Sequence, residues 1–355
     1  MRDFALSAEL EELRAAAERL ATAELAPNVR ENEQAGRWPD SVVSVLDGFP
    51  LGDLDLPDRL GGVGAGVLAK VVILETLAMG DAGGLAAVDR PGSTVGAVLA
   101  CPDHDLVAEV LTTGRDGSAQ SGFTVIDPDS GSTGLDWAPG GPDLRWVWVS
   151  EENTLRLHEV TGTPTPLQVL AFQASGGVTV PFDATTVRGT WELSADTSLM
   201  VRSRARLWGA AISVGIAQAA LEDTIEYTTE RVVFGKPVAH HQGNAFDIAA
   251  TAARIHGARL VVRDAAAAFD REEPHAAFWA TQAWLETVDA TFAATNLGIQ
   301  LLGGHGFIVD HLAEKRFREA RMLAMAAGAR DAAEFDAAAH VMDVPDPLVG
   351  TEVAS

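Results

Sequence analysis

The sequence predicts a mainly α-helical protein with a small β domain in its middle. Three observations predict it. Apolar residues recur at helical spacing through much of the first hundred residues. Prolines, threonines, serines, glycines and short Val/Trp/Leu runs fill the stretch from about Cys101 to Val187. Long helical patterns resume at Thr197. The expected division is an N-terminal helical domain at 1–100, a reduced β domain at 101–192, and a helical bundle with its tail at 193–355.

The elements follow in order. Ser7 precedes Ala8-Glu9-Leu10-Glu11, a capping-box-like start, and Leu10, Leu13, Ala17 and Leu20 then line one helical face. Pro27 should end or bend that helix. A second helix is expected over Ser41–Leu46, a loop at Gly61-Gly62-Val63-Gly64, and a further helix over Val67–Met79. Leu144–Val149, Leu155–His158 and Gly177–Val180 read as strands. Residues 199–230, 242–270, 275–302 and 311–325 read as four helices packed side by side, which is a bundle.

Composition excludes several functions. A net charge of -24, with Lys70, Lys236 and Lys315 the only lysines, argues against nucleic acid, whose phosphates need clustered cations. One cysteine, Cys101, rules out an internal disulfide framework and a cysteine-based zinc site, and reads as a buried thiol. The most apolar stretch, Leu207–Leu221, is broken by Gly, Ser and Gln and falls short of the ~18 residues of a membrane span. The start carries no signal-peptide pattern, so a soluble, cytoplasmic protein is expected. Gly62–Gly66 lacks the preceding strand and spacing of a dinucleotide fingerprint, and His240-His241 lacks supporting metal-ligand spacing.

Local motifs are more specific. Glu24-Leu25-Ala26-Pro27, Gly36-Arg37-Trp38-Pro39, Leu56–Gly64 and Glu75-Thr76-Leu77-Ala78 before Asp81-Ala82 stand in the N-terminal part. Arg231-Val232-Val233-Phe234-Gly235-Lys236-Pro237-Val238, followed by Gln242, has the form R-x-x-F-G-x-x-[IV]. Gln300-Leu301-Leu302-Gly303-Gly304-His305-Gly306-Phe307 has the form Q-x-x-G-G-x-G-[YF], and Glu314–Arg321 is an arginine-rich run after it. Together and in this order they resemble the acyl-CoA dehydrogenase family. The resemblance implies a helical N-terminal domain, a small β-barrel-like middle domain and a C-terminal four-helix bundle that tetramerises. It also implies FAD, an acyl-CoA thioester, and a Glu that removes the proton alpha to the thioester carbonyl while the flavin takes the beta hydride.

The retained motifs suit a cofactor. Arg231 can pair with a pyrophosphate in a bidentate way, though a surface ion pair is the simpler use. Phe234 can stack on adenine or join a core. Gly303 and Gly304 permit close backbone approach or a helix–helix turn. Gln242 and Gln300 complete the cofactor-binding set that the resemblance implies. His305 reads equally as a turn residue or as a group near a neighbour's cofactor.

The catalytic base is missing. Counting from the arginine run, the family's E-G-T segment falls on Ala327-Gly328-Ala329, so alanine stands at the Glu position. The alternative Glu position, on the first bundle helix, falls at Ala205 between Arg204 and Arg206. The family's T-E-x-x-x-G-S-D loop is also absent: Ser121–Thr124 and Asp127–Ser132 are poor matches. In the family's dimer the R-x-x-F-G and Q-x-x-G-G motifs reach a neighbour's FAD, whereas the β loop and E-G-T serve the subunit's own site. The resemblance is therefore to the smaller, degenerate subunit of heteromeric actinobacterial acyl-CoA dehydrogenases acting on steroid side-chain or similar acyl-CoA substrates. It implies FAD shared with a homologous partner, and acyl-CoA bound through that partner. Two alternatives stand beside it. One is a self-sufficient enzyme with a relocated base, for which Asp331, Glu334 and Asp336 are the nearby carboxylates, or with non-redox thioester chemistry. The other is a cofactor-free assembly subunit.

Overall fold

The computed structural model describes residues 5–126, 132–138 and 141–343. The N-terminal part is helical, with α1 (Ala8–Leu20), α2 (Val29–Ala35), α3 (Asp40–Asp47), α4 (Val67–Asp81), α5 (Leu85–Val88), α6 (Val95–Ala100) and α7 (His104–Arg115). Ser7 caps α1, its Oγ accepting the Leu10 N–H at 3.2 Å. Pro27 bends the chain rather than ending it, because a π turn (Ala21–Leu25) and a 3-10 turn (Ala26–Asn28) carry α1 into α2. α4 is buried around nearly its whole circumference, charged residues included. Its charges are paired: Lys70 with Asp89 at 2.6 Å, and Glu75 with Arg259 at 2.5 Å and Arg263 at 3.2 Å. A lone charge there would not survive burial.

The stretch read as β from Cys101 begins instead with a helix. α7 is capped by Asp103, whose Oδ1 accepts the Leu106 N–H at 3.0 Å, and it buries Leu106, Val107, Val110 and Leu111. That pattern at i, i+1, i+4 and i+5 after a capping Asp was present in the sequence. Cys101, just before it, is buried, and desolvation pushes its thiol up to about 11.

The strands are β1 (Gln120–Ile126), β2 (Gly134–Ala138), β3 (Leu144–Glu151), β4 (Thr154–Val160), β5 (Thr165–Pro166), β6 (Val178–Pro181) and β7 (Thr185–Glu192). One sheet has the order β1-β3-β4-β7, with β1 parallel to β3 and the other pairs antiparallel; a second has the order β2-β6-β5. β3 lies between two cores. Trp146 and Trp148 pack toward α6 and α7, while Val147 and Val149 pack toward β2 and β6. Burial on both faces explains why its apolar residues did not alternate cleanly with polar ones.

The C-terminal part holds α8 (Ala195–Glu230), a short hairpin of β8 (Val232–Val233) and β9 (Lys236–Pro237), α9 (Gln242–Asp270), α10 (Ala276–Leu302), α11 (Ala313–Leu323) and α12 (Ala329–Asp343). α8 is the spine, packing against α10, α4, α9 and α6. Trp284, read as a packing residue, is fully buried there, and Trp279 packs at the edge of the same core. The fourth expected bundle helix is α11; α2, α5, α6, α7 and α12 lie outside the expected set. The arginine-rich run is tied to the N-terminal helices, Lys315 pairing with Asp81 at 2.9 Å and Arg318 with Glu33 at 2.7 Å, and to α8, where Arg316 pairs with Asp223. Among the described residues no helix is long and apolar enough to cross a membrane, and no cluster of His, Cys, Asp and Glu could hold a metal ion.

Candidate functional site

Arg231 terminates α8, its N–H bonding to the Tyr227 carbonyl. The chain then turns back through the β8–β9 hairpin, in which Val233 pairs with Lys236 across Phe234-Gly235. Both turn residues have positive φ, 52° at Phe234 and 81° at Gly235. A two-residue hairpin of this kind favours Asn-Gly, and a bulky residue in the left-handed region costs about 1–3 kcal/mol. The strained Phe234 does not compensate by packing, for it is 95% exposed. The hairpin is held from behind by a 3.0 Å contact between His241 Nε2 and the Val233 carbonyl, and by Asn244 Nδ2 donating to the Val238 carbonyl at 3.0 Å. His241 is thus engaged with backbone. Gln242 begins α9 and is exposed.

Gln300 lies on the exposed side of the last turn of α10. Gly303 follows with φ 58° and ψ −130°, a conformation open only to glycine. Gly306 is required for a different reason: a Cβ there would fall 2.4 Å from the Ile299 carbonyl oxygen. At Gly303 and Gly304 a Cβ would meet nothing within 4 Å, so this backbone faces open space. The Tyr227 hydroxyl lies 3.0 Å from His305 Nδ1, and both rings pack against His311. This contact ties the glycine turn to the last turn of α8 and so brings the two motifs to one end of the bundle. The side chains of Arg231, Phe234, Gln242 and Gln300 make no hydrogen bond or ion pair among the described residues, and Val232, Phe246, Phe307 and Val309 add exposed apolar surface to the same elements.

The two positions expected from the sequence for the family's Glu look different. Ala327 sits in the 3-10 turn between α11 and α12 with φ 51°, followed by Gly328 at 91° and Ala329 at 60°. This turn lies directly on β1: a Cβ on Gly328 would fall 3.0 Å from Val125 Cβ. A planar ring between two walls needs roughly 7 Å, since carbons pack at about 3.5–4.0 Å. The 127–131 stretch that follows β1 lies outside the described residues. Ala205 is buried on α8, and its neighbours Arg204, Leu207 and Trp208 line a cleft of only about 10 Å³. Trp208 Nε1 donates to Asp89 at 2.7 Å there, and Arg204 pairs with Asp55. A volume of that size barely admits one water.

Two of the three nearby carboxylates are committed elsewhere. Asp336 accepts from Arg202 Nε at 2.9 Å and Nη2 at 2.6 Å, and pairs with the fully buried Arg206 at 2.6 Å. Burial pushes its pKa up, but the two guanidiniums outweigh this and hold it below the usual carboxylate range. It is a counter-ion, the opposite of a poised base. Glu334 is tied to Arg330 at 2.6 Å, and Asp331 is exposed. Sequence reasoning named Asp336 but missed its arginine partners, which lie on another helix.

Two family models match the chain: the acyl-CoA dehydrogenase N-terminal domain over residues 7–103, and the acyl-CoA dehydrogenase C-terminal domain over residues 198–341. The chain belongs to the acyl-CoA dehydrogenase family. Its fold is that of the family's FAD-dependent dehydrogenases. A probable acyl-CoA dehydrogenase, FadE25, of Mycobacterium tuberculosis (strain ATCC 25618 / H37Rv) is 26% identical over 365 residues, covering 90% of this chain and 92% of the relative. Butyryl-CoA dehydrogenase from Megasphaera elsdenii superposes with a TM-score of 0.80 at 21% identity, over 96% of this chain and all of that one. The steroid ACAD Tcur3481–Tcur3483 superposes with a TM-score of 0.75 at 20% identity, over 94% and 98%. At these identities the superpositions establish the fold alone.

Proposed function

We propose that this chain is the non-catalytic subunit of a cytoplasmic FAD-dependent acyl-CoA dehydrogenase, completing the FAD site of a homologous partner that supplies the base and binds the acyl-CoA. The observation that carries this reading is the contact of the Ala327-Gly328 turn with Val125. In the family the base and the β-domain loop face one subunit's own flavin. Here the base position holds a methyl group, and the turn bearing it rests on β1, which does not fit a flavin between them.

The other set of motif residues fits the group. Arg231 would meet the pyrophosphate, Phe234 the adenine, and the open backbone at Gly303-Gly304 would allow close approach, with Gln242 and Gln300 donating amide hydrogens. When bound, FAD supplies the hydride acceptor. This chain's residues bind and orient it and contribute no proton acceptor. The acidic surface leaves Arg231 as a local cation where an anion would dock. A comparison of visible spectra tests the reading. The purified chain alone should lack a flavin band and show no acyl-CoA dehydrogenation with an artificial electron acceptor, while the chain co-purified with its homologous partner should carry flavin and turn over. Turnover by the isolated chain would refute it.

A further inference from the structure

A cavity whose lining shares no residue with Arg231–Gln242 or Gln300–Phe307 opens in the N-terminal part. It has a volume of about 260 Å³ and lies where the α3–α4 connection, α6 and α7 meet the start of β1. Its lining combines the apolar Phe49, Val88, Val98 and Leu111 with the polar Arg90, Thr94 and Ser121 and the paired Asp53 and Arg115. It is separate from the small cleft beside α8. Asp89 turns toward Lys70 and Trp208, whereas its neighbours Val88, Arg90 and Pro91 face the cavity. An engineered apolar cavity of about 150 Å³ takes up benzene, so this one has room for a larger body, such as an eight-carbon chain.

Arg90 gives the cavity its chemical preference. Most arginines of this acidic chain are paired with carboxylates. Among the described residues Arg19, Arg59, Arg231, Arg254 and Arg321 have no such partner, and all five are exposed; Arg90 has none either, yet it is half-buried. Its Nη1 donates to the carbonyls of Gly117 at 3.2 Å and Ala119 at 3.3 Å, both long for bonds from a cation. Asp116 feels its charge but is bound to Ser118, and the cavity's own Asp53 is held by Arg115 at 2.8 Å. The Ser121 hydroxyl makes no hydrogen bond among the described residues. A guanidinium without an ion-pair partner and an unbonded hydroxyl, both lining a cavity that also has apolar walls, are complementary to an amphipathic monoanion.

We infer that this cavity is a binding site for a small apolar carboxylate, with its hydrocarbon body against Phe49, Val88, Val98 and Leu111 and its carboxylate on Arg90 and Ser121. The test is calorimetric titration of the full chain, with its partner if it is purified as a complex, using octanoate and the uncharged octanol. Octanoate should bind at one site and octanol about tenfold or more weaker, the worth of a charge-assisted hydrogen bond. Arg90→Gln should bring octanoate down to the level of octanol. Val98→Phe, which fills the hollow, should abolish binding of both without changing the circular dichroism spectrum. If Val98→Phe fails to fold, Ser121→Leu serves instead and should weaken octanoate alone. Absence of octanoate binding to the wild-type chain, or binding that Arg90→Gln leaves unchanged, would overturn the inference.

Discussion

Replacing Arg231 with alanine separates a subunit that contributes to a cofactor site from one that merely fills space. In the isolated chain the Arg231 side chain is exposed and makes no bond among the described residues, and only its backbone N–H closes α8. Its loss should therefore change the stability of the chain by no more than about 0.5 kcal/mol, the usual range for a free surface side chain. On the proposed reading the same guanidinium faces a pyrophosphate in the complex, where one charge-assisted bond contributes about 1.5–3 kcal/mol. Flavin affinity should then fall about tenfold to a hundredfold. Arg231→Lys should recover only part of it, because an ammonium cannot form the planar fork. The assay is the flavin-to-protein ratio after gel filtration of the wild-type and variant complexes, together with their elution volumes. An unchanged ratio in Arg231→Ala would refute the shared-site reasoning. A shifted elution volume would show that Arg231 holds the subunits rather than the cofactor.

Two further predictions concern groups whose roles are opposite. Phe234→Asn puts the residue type that the hairpin turn prefers at a position with φ 52°, so it should raise the melting temperature of the chain while lowering flavin retention in the complex; a gain in stability with full retention would make Phe234 irrelevant to the cofactor. Asp336→Ala leaves Arg206 fully buried without its counter-charge, a loss of about 3–5 kcal/mol visible as a lower melting temperature. Because the Asp336 pKa is lowered in the folded chain, its contribution is present above the unfolded value of about 3.9 and disappears as pH falls through the folded value. The gap between wild type and variant should therefore hold at neutral pH and close only in acid, and a gap that closes near neutrality would contradict the ion-pair assignment.

What could be read from the sequence divides along a physical line. Features set within a few residues were legible: the Ser7 cap, the long bundle helices, and the R-x-x-F-G and Q-x-x-G-G motifs, whose local spacing carries their meaning. α2 and α7 were missed because the first is short and the second sits in a proline- and glycine-rich neighbourhood that suggested strands, although Asp103 signalled a helix start. Features set by distant partners were not legible. The pairing of Arg202 with Asp336 spans 134 residues, and nothing near either residue announces it. The contact of Gly328 with Val125 is of the same kind. From the sequence, Ala327 reads only as a missing carboxylate, which a nearby acid could in principle replace. The geometry speaks against that for one candidate, since Asp336 is already paired with two arginines and the turn rests on β1. A relocated base would need both an unpaired carboxylate and a space in which flavin and thioester meet. Of the three carboxylates after Ala329, Asp336 and Glu334 are paired and Asp331 is exposed, while at the opposite end of α8 the Arg231 side chain makes no bond among the described residues and the Gly303 backbone faces open space.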